Sequence, residues 1–262
     1  MSFSPITGSA ATTIHTPDQG LKHGRIQMPT FDGTIAAYHA VRADAVNPPV
    51  ILVIQEIFGL HEHIQDVCRR LAHEGYLAIA VELYQRQGDA GSYSDIPALI
   101  KDIVSKVPDE QVLSDLDASV RWAADQGGDS ERVGVTGFCW GGRLVWMYAA
   151  HTPQVKAGVA WYGRLAAGHG PLIKRNPVDV AHSLHAPVLG LYGGLDASIP
   201  LDDVERMKHL LAQGNEAARA SEIIVYPQAN HAFFADYRPS YREEDAFEAW
   251  ARTLAWFRRY LA

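Results

Sequence analysis

A cysteine stands at the centre of the pentad Gly137-Phe138-Cys139-Trp140-Gly141, between an apolar β-like run and an apolar helix-like run. The spacing is that of a nucleophile elbow, G-x-S-x-G, with the serine exchanged for cysteine. A strand-to-helix turn this tight leaves no room for side chains two positions before or after the nucleophile. Glycine also tolerates backbone angles that other residues resist. A thiol attacks only after giving up its proton, and an imidazole held by a carboxylate is the usual acceptor. Asp196 follows the run "LGLYGG" and His231 follows "EIIVYP", each just beyond a predicted strand.

The chain order nucleophile, acid, histidine is the one found in α/β-hydrolases. Singly, each residue has an ordinary alternative. A free cysteine is more often buried and inert, an aspartate in Gly-Gly-Leu-Asp is more often a turn residue, and a histidine after a strand is often a surface one. The order and the strand-end placement together make the chemical reading. Glu56 ends the apolar run "PVILVIQE", where a charge is expensive without a partner or a task. It is either a strand-end carboxylate paired with an arginine or an acid at the active-site rim. Its neighbour Ile57 is positioned to give a backbone N–H to an oxyanion hole, alongside the amide of Trp140.

Other conspicuous residues lead elsewhere. "HEHI", 61–64, lacks the second histidine of H-E-x-x-H and reads as a polar helix start, with no metal. The histidines other than His231 form no ligand-spaced cluster. Cys68 falls on an apolar helix face and reads as a packing residue. The runs "DDVERMK" and "REEDAFE" read as solvated helix faces. A net charge of −7 over 262 residues argues against nucleic acid or anionic membrane as partner. No run of about 18 apolar residues suggests a bilayer span, and the first twenty residues do not resemble a secretory signal. Two cysteines with no metal spacing and no disulfide framework point to a cytoplasmic setting.

Placing these residues is the task of the surrounding elements. "RIQMPT" and "TIAAYHAV" predict a hairpin across Asp32-Gly33. "PVILVIQE" (49–56), "YLAIAVEL" (76–83), "RVGVTG", "VKAGVAWYG", "PVLGLYGG" and "SEIIVYP" read as strands, several apolar throughout as in a buried parallel sheet. Helices are expected at 61–75, 109–126, from "WGGRLVWMYAAH", at 201–213 and at 241–260. The first buries Ile64, Val67, Cys68, Leu71 and Ala72, with Gln65, Asp66, Arg69 and Arg70 opposite. The last buries Phe247, Trp250, Leu254 and Phe257. Segment 93–107 reads as a lid, and 165–185 as loop. Strands alternating with helices imply a mostly parallel sheet with helices on both faces, and a site at the strands' carboxyl ends. Residues 1–20 form a polar arm and 21–262 a single domain.

The motifs "QEIFG" (55–59), "ELYQRQ" (82–87), "GFCWGG" (137–142), "WYG" (161–163), "GGLDASIP" (193–200) and "NHAFFAD" (230–236) resemble the dienelactone hydrolase (carboxymethylenebutenolidase) family. The resemblance runs from about residue 20 to the C-terminus. It implies an α/β-hydrolase fold, a Cys139–His231–Asp196 triad, and hydrolysis of a small lactone or ester without a cofactor. It also implies that Glu56 holds the resting thiol and shares in its activation. An arginine in "LYQRQ" that binds a substrate carboxylate points to Arg86, beside Tyr84. The family's second carboxylate-binding arginine, four residues after the histidine, is Ala235 here, with Arg238 nearby as a substitute. Trp161, Tyr162 and Phe234 complete the expected substrate wall. The expected partner is a small molecule met by a monomer or small homo-oligomer. Two alternatives stay open: a carboxylesterase of apolar specificity, and a redox- or electrophile-sensing thiol without turnover.

Overall fold

The computed structural model describes residues 11–262. Eight strands, β1 (Leu21–Thr30), β2 (Gly33–Arg42), β3 (Pro49–Ile54), β4 (Leu77–Val81), β5 (Asp129–Phe138), β6 (Val155–Trp161), β7 (Val188–Gly193) and β8 (Glu222–Tyr226), form one sheet. Its order is β1-β2-β4-β3-β5-β6-β7-β8, with β1–β2 and β2–β4 antiparallel and every other pair parallel. The predicted hairpin is β1–β2. The helices are α1 (Glu62–His73), α2 (Ile96–Asp102), α3 (Asp109–Asp125), α4 (Trp140–Ala149), α5 (Pro177–Val180), α6 (Leu201–Ala212), α7 (Glu216–Arg219) and α8 (Glu243–Tyr260). The fold is an α/β-hydrolase fold. Among the described residues, no helix is long and apolar enough to cross a membrane.

Two glycines show that helices cover both faces. Gly134 of β5 pairs in register with Ala157, so Gly134 and Gly158 point to opposite sides of the sheet. A Cβ on Gly134 would strike Phe257 of α8 at 2.9 Å, and one on Gly158 would strike Val145 of α4 at 2.9 Å. The central strands β3 and β4 are buried almost throughout, which is why their sequences show no alternation.

Two expected helix faces differ from those found. Phe247 is 71% exposed, and α8 instead buries Ala246, Ala249, Thr253, Leu254, Trp256 and Phe257. The buried stripe is rotated, because the small Ala246 and Ala249 let α8 lie close to the sheet. On α1 the polar residues Gln65, Asp66 and Arg69 are buried too. Asp66 accepts from Thr16 N–H at 2.7 Å and Thr16 Oγ1 at 3.0 Å, and it pairs with Arg69 and Arg70. Arg70 continues to Asp236 at 2.5 Å, whose other oxygen meets His63 at 3.1 Å. Charges that close on one another in this way tolerate burial that isolated charges would not. The first ten residues of the expected N-terminal arm lie outside the described residues.

Candidate active site

The elbow is strained, and the surrounding backbone leaves it no alternative. Cys139 follows β5 and precedes α4 with φ +55° and ψ −111°, a conformation side-chain-bearing residues seldom adopt. Its N–H donates to the Trp161 carbonyl at 3.0 Å, which locks the turn to β6. A Cβ on Gly137 would lie 2.5 Å from the Gly141 carbonyl oxygen, and one on Gly141 would lie 2.5 Å from that of Gln55. Both glycines of the pentad are therefore steric requirements of this turn.

Cys139, His231 and Asp196 come together from three strand ends. His231 Nε2 lies 3.1 Å from Cys139 Sγ, and Nδ1 lies 2.6 Å from Asp196 Oδ2. Asp196 Oδ1 accepts from the Ser198 N–H at 2.8 Å and the Ser198 hydroxyl at 2.6 Å. Burial works against the carboxylate's charge, but His231 and Ser198 outweigh it and hold Asp196 below its ordinary value. Burial also opposes the imidazolium, yet the sulfur of Cys139 and the Asp196 carboxylate raise His231 to about 10. The site thus favours the imidazolium, the form His231 takes once it holds the thiol proton. Ser198 was not singled out from the sequence, although it sits two residues after Asp196 as a local donor would.

The sulfur opens on a cavity of about 280 Å³. Glu56, Ile57, Phe58 and Trp140 line it around the sulfur, and Ile96 and Ile100 of α2 also line it, so the segment expected as a lid does wall the site. No group among the described residues accepts a hydrogen bond from the Ile57 or Trp140 amide. Both amides are therefore available to an oxyanion.

Glu56 is fully buried at the end of β3, and its sulfur-holding role is not what the geometry presents. Tyr237 donates to Glu56 Oε2 at 2.6 Å, and His61 Nε2 lies 3.3 Å from the same oxygen. No hydrogen bond joins Glu56 to Cys139, whose partner is His231. Burial pushes the Glu56 carboxyl up, but His61, His63 and Arg238 overcome this and bring it down to about 2. Its other oxygen, Oε1, is buried without a partner, as is the hydroxyl of Tyr162 on the same cavity. No spacing in the chain marks His61 and Tyr237 as partners of Glu56, since their tie to it is tertiary.

The expected substrate wall is partly redrawn. Arg86 does not line the cavity. It donates from Nε, Nη1 and Nη2 to Asp32, Asp115 and Thr30 at 2.6–3.2 Å, joining the hairpin to α3. A guanidinium held between two carboxylates in this way is a strut of the fold. Tyr84, Trp161 and Phe234 are buried behind the lining: Tyr84 packs edge-on against Trp140 at 4.8 Å, and Trp161 donates to Thr136 at 3.1 Å. Tyr162 and Arg238 do line the cavity, with Arg238 lying over the Phe58 ring. Arg143, Arg164 and His169 line it as well, and the sequence reading had passed over all three.

The model of the dienelactone hydrolase family matches residues 35–261. The chain belongs to that family. A protein of Methylorubrum extorquens named "Putative carboxymethylenebutenolidase" is 55% identical over 253 residues, 96% of this chain and 86% of the relative. One of Escherichia coli K12 with the same name is 53% identical over 260 residues, 98% of this chain and 95% of the relative. The crystal structure of a Klebsiella pneumoniae protein, "Putative Dienelactone Hydrolase", superposes with a TM-score of 0.88 at 56% identity. It covers 92% of this chain and 99% of that one. The chain is a hydrolase of this family, and the α/β-hydrolase fold follows from the same likeness.

Proposed function

We propose that this member of the dienelactone hydrolase family is a cysteine-nucleophile hydrolase of small esters or lactones. The observation that carries the reading is the unbroken line Cys139 Sγ–His231–Asp196, with 3.1 and 2.6 Å steps, on the wall of a cavity. His231 Nε2 takes the thiol proton as Sγ attacks the acyl carbon. The Ile57 and Trp140 amides receive the oxyanion. The imidazolium then protonates the departing alkoxide, leaving a thioester on Cys139. Water, deprotonated by the same nitrogen, attacks the thioester, releases the acid and restores the thiol. Asp196 keeps Nδ1 protonated and stabilises the charged ring throughout. No cofactor takes part.

A cavity of about 280 Å³ suits a small-molecule substrate. The apolar members of the wall, Ile57, Phe58, Ile96, Ile100 and Trp140, keep an esterase of apolar specificity as the second reading. Two free thiols, Cys68 and Cys139, support a cytoplasmic setting. Rapid mixing with 4-nitrophenyl acetate tests the reading. A burst of one nitrophenolate per chain, with an acetyl increment on the Cys139 peptide, is expected. An increment elsewhere, or a single stoichiometric reaction without turnover, refutes it; the latter outcome is that of a sensing thiol.

A further inference from the structure

Glu56 brings a carboxylate into the same cavity wall as the sulfur. The backbone leading to it lies directly against the elbow: a Cβ on Gly141 would meet the Ile54 and Gln55 carbonyl oxygens at 2.6 and 2.5 Å. The charges of Glu56 and Cys139 both act on the Tyr162 hydroxyl, which lines that cavity too. A buried carboxylate seeks donors, and a nearby thiol is one. Yet the partner of Sγ, at 3.1 Å, is His231 Nε2.

Two side chains account for this by meeting Glu56 at one atom. Tyr237 donates to Oε2 at 2.6 Å, and His61 Nε2 stands 3.3 Å from the same oxygen. Their rings meet edge-on with centroids 5.2 Å apart, and His63 packs against both, 5.3 Å from Tyr237 and 6.1 Å from His61. Asp236, the residue before Tyr237, is tied to His63 at 3.1 Å and to Arg70 at 2.5 Å, so the tyrosine is fixed from α1. Burial and the Glu56 charge push the Tyr237 hydroxyl well up, so it keeps its proton and remains a donor. With Oε2 gripped, the side chain cannot swing about χ1 and χ2 toward the sulfur.

We infer that Tyr237 and His61 are positioning residues that clamp the Glu56 carboxylate off Cys139, leaving the sulfur to His231 and reactive before any substrate arrives. A carboxylate released toward the sulfur would repel a thiolate and compete with His231 for the thiol hydrogen. Reactivity at rest is then governed by two side chains that do not line the cavity themselves. The clamp bears on turnover only under the cysteine-nucleophile reading, whereas alkylation reports on the sulfur directly.

Alkylation of Cys139 by iodoacetamide at neutral pH, followed by mass mapping, is compared in wild type, Tyr237→Phe, His61→Phe, Glu56→Gln and Tyr237→Phe/Glu56→Gln. Tyr237→Phe removes only the hydroxyl and should slow alkylation about fivefold or more, through the charge brought toward the sulfur. His61→Phe keeps a ring in place and should slow it by a smaller factor. In the Glu56→Gln background, Tyr237→Phe should change the rate by less than about twofold, since the amide has no charge to release. Cys68 is fully buried on α1, so its labelling reports any loss of fold. Rescue by Glu56→Gln is likewise something a loosened fold would not show. Alkylation at or above the wild-type rate in Tyr237→Phe or His61→Phe overturns the clamp, as does equal slowing with and without the Glu56 charge. The expected alkylation pattern in a protein that turns over no 4-nitrophenyl acetate overturns the hydrolase reading and keeps the clamp.

Discussion

Two polar systems lie side by side in this molecule and are finished differently. Around α1, both oxygens of Asp66 and both of Asp236 are taken, by Thr16, Arg69, Arg70 and His63. Around the cavity, the Glu56 Oε1, the Tyr162 hydroxyl and the Ile57 and Trp140 amides are left open. Buried polar groups are nearly always paired, so open ones need a reason. In the first system every carboxylate oxygen is taken, with only Nε2 of His63 left over, and it fastens α1 to the arm and to the segment after His231. In the second, acceptor and donors are left open around one cavity.

The two cysteines offer the sharpest way to break this contrast. Cys139→Ala should cut ester turnover by at least ~10³-fold if the thiol forms the covalent bond. Cys68, fully buried on α1 and with its thiol pushed up by burial, should tolerate alanine with turnover little changed. A reversal of these outcomes would move the reactive sulfur to the closed side. His231→Ala should match the loss of Cys139→Ala, and the double variant should be no worse, because the two act as a unit. Asp196→Asn should lose less, since the imidazole survives without its orienting acid. Losses that multiply in the double variant would break the common mechanism.

On the closed side the effect should fall on stability. Asp66→Ala leaves Arg69 and Arg70 without their shared acid and should cost about 3 kcal/mol in urea unfolding. Turnover per folded chain should hold. A large fall in turnover at full stability would mean that the two systems are one. Smallest is the effect of Glu56, which belongs to both. Its folded pKa is about 2 against an ordinary 4.5, so its charge supports the fold fully above 4.5. That support fades as pH falls toward 2. Glu56→Gln should therefore be less stable than wild type near pH 6 and converge with it near pH 2. Parallel stability curves across that range would remove Glu56 from the charge network.

Much of this was legible in the sequence for one physical reason. Buried parallel strands are written as apolar runs, and the residues at their carboxyl ends inherit a common edge. Cys139, Asp196 and His231 could thus be assembled from position alone. What stayed hidden depends on pairing between distant segments. Arg86 lies in a motif that promises a substrate contact, yet Asp32 and Asp115 reach it from 54 and 29 residues away. The polar face of α1 looks solvated until Thr16 and Asp236 close over it. On α8 the apolar period was visible, but Phe247 turned outward because alanines beside it pack closer. Arg164 and His169 lie in a loop with no periodicity to mark them.

The elbow has a last implication. The backbone of Cys139 is held at φ +55° by the Trp161 carbonyl and by glycines on either side, none of which touches the sulfur's chemistry. The turn is a socket that is indifferent to the tool mounted in it. A hydroxyl would be presented from the same point, at the same angle and to the same imidazole. Over evolutionary time, such a frame separates the problem of aiming a nucleophile from the problem of choosing one. Changing the atom presented there needs one codon, whereas changing its direction would mean reshaping the turn between β5 and α4.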